Sequence, residues 1–192
     1  MRHDIRVEGH GYRLRPIADN DAALVVELRS NPELNRYLHA GAIDIPQQIA
    51  WFHGYYERPG DFYFVIERRT DGLPEGVISI YDAENGQAEW GRWILRPESL
   101  AAVESAWLIY RTCFERLELD RICCRTVAAN EKVVSFHDSC GIEARRMLPR
   151  HFELQGHWFD AVEHRVDRTA WVTLAPRLEK LARALARRSR HD

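Results

Sequence analysis

None of the four cysteines, at positions 113, 123, 124 and 140, is spaced from another as C-x-x-C. Neither a zinc ribbon nor a disulfide framework is therefore favoured. An apolar run long enough to span a bilayer is missing as well, and Met1-Arg-His-Asp leads into polar sequence without a secretory hydrophobic stretch. A reduced, cytoplasmic protein with no membrane partner is therefore expected. Charge of one sign is also wanting: 27 basic residues against 29 acidic ones leave a net charge of −2, with no global field to attract nucleic acid. His151, His157 and His164 are too widely spaced to suggest a metal site, and none is expected. There is no internal repeat and no low-complexity linker. What remains is 192 residues, 45% of them hydrophobic, enough for one core and short for two domains.

Within that chain, residues 5–16 read as a first strand bent by Gly9 and Gly11 and ended by Pro16. Asp19 or Asn20 offers a cap for a helix carrying Ala23, Leu24, Val26 and Leu28 and closing near Asn31-Pro32. A second helix, from Pro46 to Glu57, carries Ile49, Trp51, Phe52, Tyr55 and Tyr56. Residues 62–69 and 76–84 alternate as two strands joined through Thr70-Asp71-Gly72, and Asn85-Gly86 turns into a further strand over 87–95. Alternation there puts Glu89, Gly91 and Trp93 on one face and Trp90, Arg92 and Ile94 on the other. A long helix follows, with the stripe Val103, Ala106, Trp107, Tyr110, Cys113, Phe114 and Leu117. With a terminal hairpin around Gly156, the order of elements implies an α/β fold built on one mixed sheet.

The most informative stretch runs from Arg121 to Glu143. A β-rich segment ends at Val127, Asn130 is placed to cap, and Val133, Phe136, His137 and Cys140 fall on one helical face. Gly141 closes the helix. Asn130 and His137, seven apart, share a side.

This stretch resembles the end of the core of the GNAT acyltransferases, matching at Val127, Asn130, Val133, His137, Gly141 and Ile142. LRSNPELNRYL resembles the first-helix region of the RimJ/RimL-like branch, and Arg150-His151, Gly156, Asp160 and Trp171 extend the likeness to the amino-sugar nucleotide N-acetyltransferases of pseudaminic acid synthesis. The resemblance covers residues 10–172. It implies a GNAT fold, a mixed and mostly antiparallel central sheet flanked by helices, over 1–172, followed by a basic amphipathic helix over 173–192. That helix is expected to lie solvated on the domain, a homodimer contact being its other reading.

Acetyl-CoA is the implied cosubstrate and a small molecule the implied acceptor. The resemblance places the pantetheine arm along Asn130 and Phe136, the thioester carbonyl against the backbone of Trp93, Ile94 and Leu95, and the diphosphate over Ser99, Leu100, Ala101, Ala102 and Val103. At that helix end the chain lacks the family's glycines, and Glu104 is expected to add negative charge where a diphosphate should bind. Glu89 stands where a carboxylate removes the amine proton through water, or is a solvated strand acid beside Arg92 or Arg125. His137 is the candidate donor to the leaving thiolate, because an imidazole exchanges protons near neutral pH. Ser79 either positions the amine or is an ordinary strand hydroxyl. On the acceptor side stand Arg29, Asn31 and Tyr37, with Trp51 and Phe52 as a stacking surface or as packing. The expected reaction is acetylation of an amine on a nucleotide-linked deoxy-amino sugar by direct attack on the thioester. Acetylation of protein N-termini or small amines, and a catalytically degenerate acyl-CoA-binding module, are the other readings.

Overall fold

Eight strands form one sheet in the order β1-β2-β3-β4-β5-β6-β8-β7 in the computed structural model, which describes residues 2–39 and 41–188. They are β1 (Val7–Glu8), β2 (Tyr12–Pro16), β3 (Phe62–Arg68), β4 (Pro74–Glu84), β5 (Gln87–Leu95), β6 (Arg121–Val127), β7 (Arg145–Leu154) and β8 (His157–Asp167). Every neighbouring pair is antiparallel except β5 and β6. The helices are α1 (Ala22–Ser30), α2 (Pro32–Asn35), α3 (Ile45–Tyr56), α4 (Ala102–Arg111) with a π-helical turn at Thr112–Arg116, α5 (Glu131–Cys140) and α6 (Arg168–Arg188). The mixed, mostly antiparallel sheet flanked by helices is the expected architecture.

Both faces of the central strands are apolar, so both must be covered. On one face Leu14, Phe64, Ile66, Ile78, Ile80 and Trp90 pack against Trp107, Leu108 and Tyr110 of α4 and Trp171, Leu174 and Leu178 of α6. On the other, Tyr63, Val65, Val77 and Ile94 meet α1 and α3 through Val25, Leu28, Phe52 and Tyr55. Each fully buried large side chain contributes about 1.5–3 kcal/mol.

Several local expectations fail for identifiable reasons. Residues 5–16 are a hairpin, not one bent strand, because the Glu104 carboxylate enters the turn and accepts from the backbone N–H groups of His10, Gly11 and Tyr12. A Cβ on Gly9 would lie 2.1 Å from that carboxylate. In α1 the buried face is Ala22, Leu24, Val25 and Leu28, and Ala23 is exposed. The terminal helix begins at Arg168, so a boundary at 172/173 falls inside it. Its Trp171, Leu174, Leu178 and Ala182 complete the main core, whereas Leu181 is 41% exposed; residues 189–192 lie outside the described ones.

The feature that positions the site is a bulge in β5. Val77 of β4 pairs with Ile94 and Ser79 with Gly91, so β5 carries one residue more than its partner over that span. Arg92 absorbs it at φ 46°, in the left-handed region. The simple alternation therefore breaks: Trp90 and Trp93 lie on the same face, their rings 5.6 Å apart, and Arg92 projects to the other. Beside the bulge, β5 and β6 pair only at Gln87–Arg121, Ala88–Ile122 and Glu89–Cys123. Beyond Glu89 they part, β5 staying with β4 and β6 with β8.

Candidate active site

A cleft of about 670 Å³ opens where the two strands diverge. Glu89, the last paired residue of β5, lies among its lining residues and is only 9% exposed. Its Oε1 accepts from the Tyr81 hydroxyl at 2.8 Å, and its Oε2 accepts from one guanidinium nitrogen of Arg125. Burial lifts its pKa above the ordinary carboxylate value, against the Tyr81 hydrogen bond and the Arg125 charge, which pull it down. Arg125 was thus a correct partner, but the environment is buried, not solvated. A carboxylate of raised proton affinity at the base of a cleft is suited to take a proton near neutral pH.

The inner wall is Trp90, Trp93, Cys124, Thr126, Val127, Asn130, Val133 and His137. Asn130 takes the N-cap position of α5 without a side-chain cap hydrogen bond, so its amide is left to the cleft instead of to the helix end. His137 is 2% exposed, its Nε2 lying 3.6 Å from the Cys124 sulfur and its ring between Trp90 and His164. Burial, with His164 beside it, pushes the pKa down to about 3. The imidazole is neutral at pH 7, outside the range expected of a ring that exchanges protons near neutrality. Ser79 is corrected too: it is fully buried, donates to the Gly91 carbonyl at 3.3 Å and does not line the cleft, so it is a strand hydroxyl.

The outer wall is formed by Val25, Arg29, Gln48, Trp51, Tyr63 and Arg92. Arg92 pairs with buried Asp61 at 2.6 Å, and its guanidinium lies 5.4 Å from the centre of the Trp51 ring and 4.6 Å from that of Tyr81. Arg29 donates to the His39 carbonyl at 2.6 Å and has no carboxylate within ion-pair distance among the described residues. The Tyr37 hydroxyl donates to the Ala129 carbonyl at 3.0 Å and ties this rim to the loop before α5. Two expected contacts are absent. Asn31 accepts from the Glu33 N–H and caps α2, away from the cleft. Phe52 is fully buried in the core under α3 and offers no stacking surface, whereas Trp51 does. His151 lines the cleft beside Phe152.

The head of α4 lies outside the cleft lining. Its N-cap is Ala101, whose N–H donates to Ser99 Oγ. Glu104 is 1% exposed and turned into the β1–β2 hairpin, so it does not place its charge at the open helix end. Ala101 and Ala102 leave that end sterically slight, as a diphosphate needs when it approaches backbone N–H groups. Between the helix head and the cleft stands a seam of side chains: the Trp93 indole donates to Ser105 Oγ at 3.2 Å, and its ring lies 5.0 Å from that of Phe136. Of the residues expected along the acyl arm, Trp93 and Asn130 line the cleft, whereas Ile94, Leu95 and Phe136 do not.

Sequence reasoning passed over Tyr81, Tyr63, Gln48 and Phe152 altogether. Two tryptophans three apart in a strand, Trp90 and Trp93, were a legible sign of the bulge that organises the rest. Among the described residues, no group of three or more His, Cys, Asp or Glu is placed to hold a metal ion, and no helix is long and apolar enough to cross a membrane.

Comparison with known proteins bears directly on this arrangement. The acetyltransferase (GNAT) domain model matches residues 12–143. No curated protein matches the sequence. Among solved structures, apo FdhC, described as a nucleotide-linked sugar GNAT, is 28% identical with a TM-score of 0.76, covering 95% of this chain and 99% of its own. An acetyltransferase structure from T. thermophilus is 25% identical, TM-score 0.79, with coverages of 94% and 98%. A spermidine N-acetyltransferase mutant from Vibrio cholerae, at 17% identity and TM-score 0.73 over 84% of this chain and 96% of its own, shares the fold. The matched domain and the mixed eight-stranded sheet agree, and the chain belongs to the GNAT acetyltransferases, N-acetyltransferases that use acetyl-CoA as cosubstrate.

Proposed function

We propose that the acceptor is an amine on a nucleotide-linked deoxy-amino sugar, acetylated by direct attack with no covalent enzyme intermediate. The observation that carries this reading is Arg29, a cleft-lining guanidinium without an ion-pair partner among the described residues, whereas Arg92 is paired with Asp61 and Arg125 with Glu89 and Glu163. That guanidinium favours an acceptor bearing a diphosphate, which arginine binds bidentately, over a polyamine or a cationic N-terminus. Trp51 adds a ring beside the arginines, the pairing that a planar base on a phosphate chain would use. FdhC's description as a nucleotide-linked sugar GNAT agrees in substrate class.

In this reading Glu89 takes the amine proton through one water, and the Tyr81 hydroxyl and Arg125 hold its carboxylate in place. Neutral His137 serves as an uncharged hydrogen-bonding group at the inner wall. Backbone of β5 at Trp93 to Leu95, free of a partner strand on the β6 side, supplies donors to the thioester carbonyl. Asn130 contacts the pantetheine amides, and the N-terminal turn of α4, residues 99–103, takes the diphosphate. Turnover of a panel of UDP- and dTDP-linked amino-deoxy sugars with acetyl-CoA tests the substrate class. Activity on at least one, exceeding that on spermidine or peptide N-termini, is expected; activity on the amines alone would replace this reading with the small-amine one.

A further inference from the structure

Behind Glu89 lies a second acid that does not line the cleft. Glu163 of β8 is 2% exposed and accepts from three arginines: Arg125 Nε at 2.9 Å, Arg146 Nε at 2.9 Å and Arg165 at 2.7 Å. The register explains the convergence, since Arg125 of β6 and Arg146 of β7 both stand directly opposite Glu163, and Arg165 follows it by two on the same face. One of the three reaches onward. Arg125 gives its Nε to Glu163 and a terminal nitrogen to Glu89. Tyr81, Glu89, Arg125, Glu163 and the outer pair Arg146 and Arg165 thus form one line of alternating partners running from the cleft to the surface.

We propose that Glu163 is a positioning residue for Glu89, acting through Arg125: it holds the guanidinium side-on, so that Glu89 receives one arm of it instead of both. A guanidinium free to turn would form a two-armed pair with Glu89. Such a pair fixes a carboxylate in its ionised form and makes it a poorer proton acceptor. The other groups near Glu89 are Tyr81 and Asp82 from β4 and Cys123 and Cys124 from β6, with Arg92 and His151 elsewhere on the cleft lining. Of these only Tyr81 hydrogen-bonds it. The kinetic part of the proposal rests on the reading of Glu89 as the base; the electrostatic part does not.

The test therefore begins without an acceptor. The protonated-carboxyl infrared band of Glu89 is titrated with pH and assigned by its loss in Glu89→Gln. Glu163→Gln is expected to move the midpoint down by about one pH unit, tenfold in proton affinity. Arg146→Ala, at a side chain 58% exposed, tightens Glu163 on Arg125 and is expected to move the midpoint up, which keeps the test available if Glu163→Gln does not fold. In an Arg125→Met background neither change should have an effect. An unmoved midpoint, or an equal shift without Arg125, overturns the proposal. In the active enzyme the acid limb of kcat/KM should follow the midpoint with the KM for acetyl-CoA unchanged. A midpoint that shifts while the limb stays still would sink Glu89 as the base and leave the Glu163 relation standing.

Discussion

The open flank of β5 and the head of α4 each bury one glutamate, and they hold it in opposite ways. Glu104 is closed off by backbone: three consecutive N–H groups, of His10, Gly11 and Tyr12, point at its carboxylate, and the missing side chain of Gly9 leaves room for it. Glu89 is held by side chains alone, a phenol and a guanidinium arm shared with another acid. Burial raises the proton affinity of both. The difference is that backbone donors cannot turn, so Glu104 is committed to the fold, whereas the donors on Glu89 can be rearranged one atom at a time. A buried acid is informative about function chiefly through what grips it.

Substitutions can break or sharpen that contrast. The largest effect is expected for Glu89→Gln, which removes the proton acceptor while keeping the hydrogen-bond geometry: kcat/KM should fall about 10²–10⁴-fold with little change in thermal midpoint. Near-parental turnover would remove Glu89 from the reaction. In the parent, activity requires the ionised form, so it should fall as pH drops through a midpoint above the usual glutamate value, because burial raises that midpoint. Glu104→Ala should do the reverse. Leaving three buried N–H groups unpaired costs about 3 kcal/mol in urea unfolding, while kcat of the folded fraction stays near the parent's; a large kcat loss in well-folded protein would mean the head of α4 has a role in the chemistry.

A smaller effect belongs to the cleft wall. Arg29→Ala should raise the KM for a diphosphate-bearing acceptor about 10- to 100-fold and leave the KM for acetyl-CoA unaffected, as steady-state kinetics with each substrate varied would reveal. The smallest is spectroscopic. If the acyl arm must part Trp93 from Phe136, acetyl-CoA should alter the tryptophan emission of the parent and much less that of Trp93→Phe; identical responses would place the arm elsewhere.

Much of the fold was legible in the sequence because its signals are local and periodic. Strands 62–69, 76–84 and 87–95, the Asn85-Gly86 turn and the glycine stop at Gly141 all appear where patterning put them. The left-handed closure at Gly141, φ 89°, needs a residue without a Cβ, and the sequence supplies it. The candidate site was legible only in part. Glu89, Arg29, Tyr37, Trp51, Trp93, Asn130 and His137 do converge on one cleft. Ser79 and Phe52 do not, because alternation and helical spacing report a face but not whether something covers it. The charge state of His137 was beyond reach as well: its neighbours Trp90, Cys124 and His164 come from other strands. The pairing of Glu104 with residues more than ninety positions away had no local trace at all.

The left-handed backbone of Arg92 reaches further than its own position. A strand keeps parity, and one extra letter reverses it for all that comes after. Deleting Arg92 would send Trp93 and Leu95 to the outer-wall face and Ile94 to the inner-wall face in a single step, and would strip the outer wall of a cation at the same time. Side-chain placement on the outer wall and on the inner wall is for this reason inherited as one trait. Efforts to retune the first through this site have most room with glycine or asparagine, which tolerate the backbone that arginine is made to adopt.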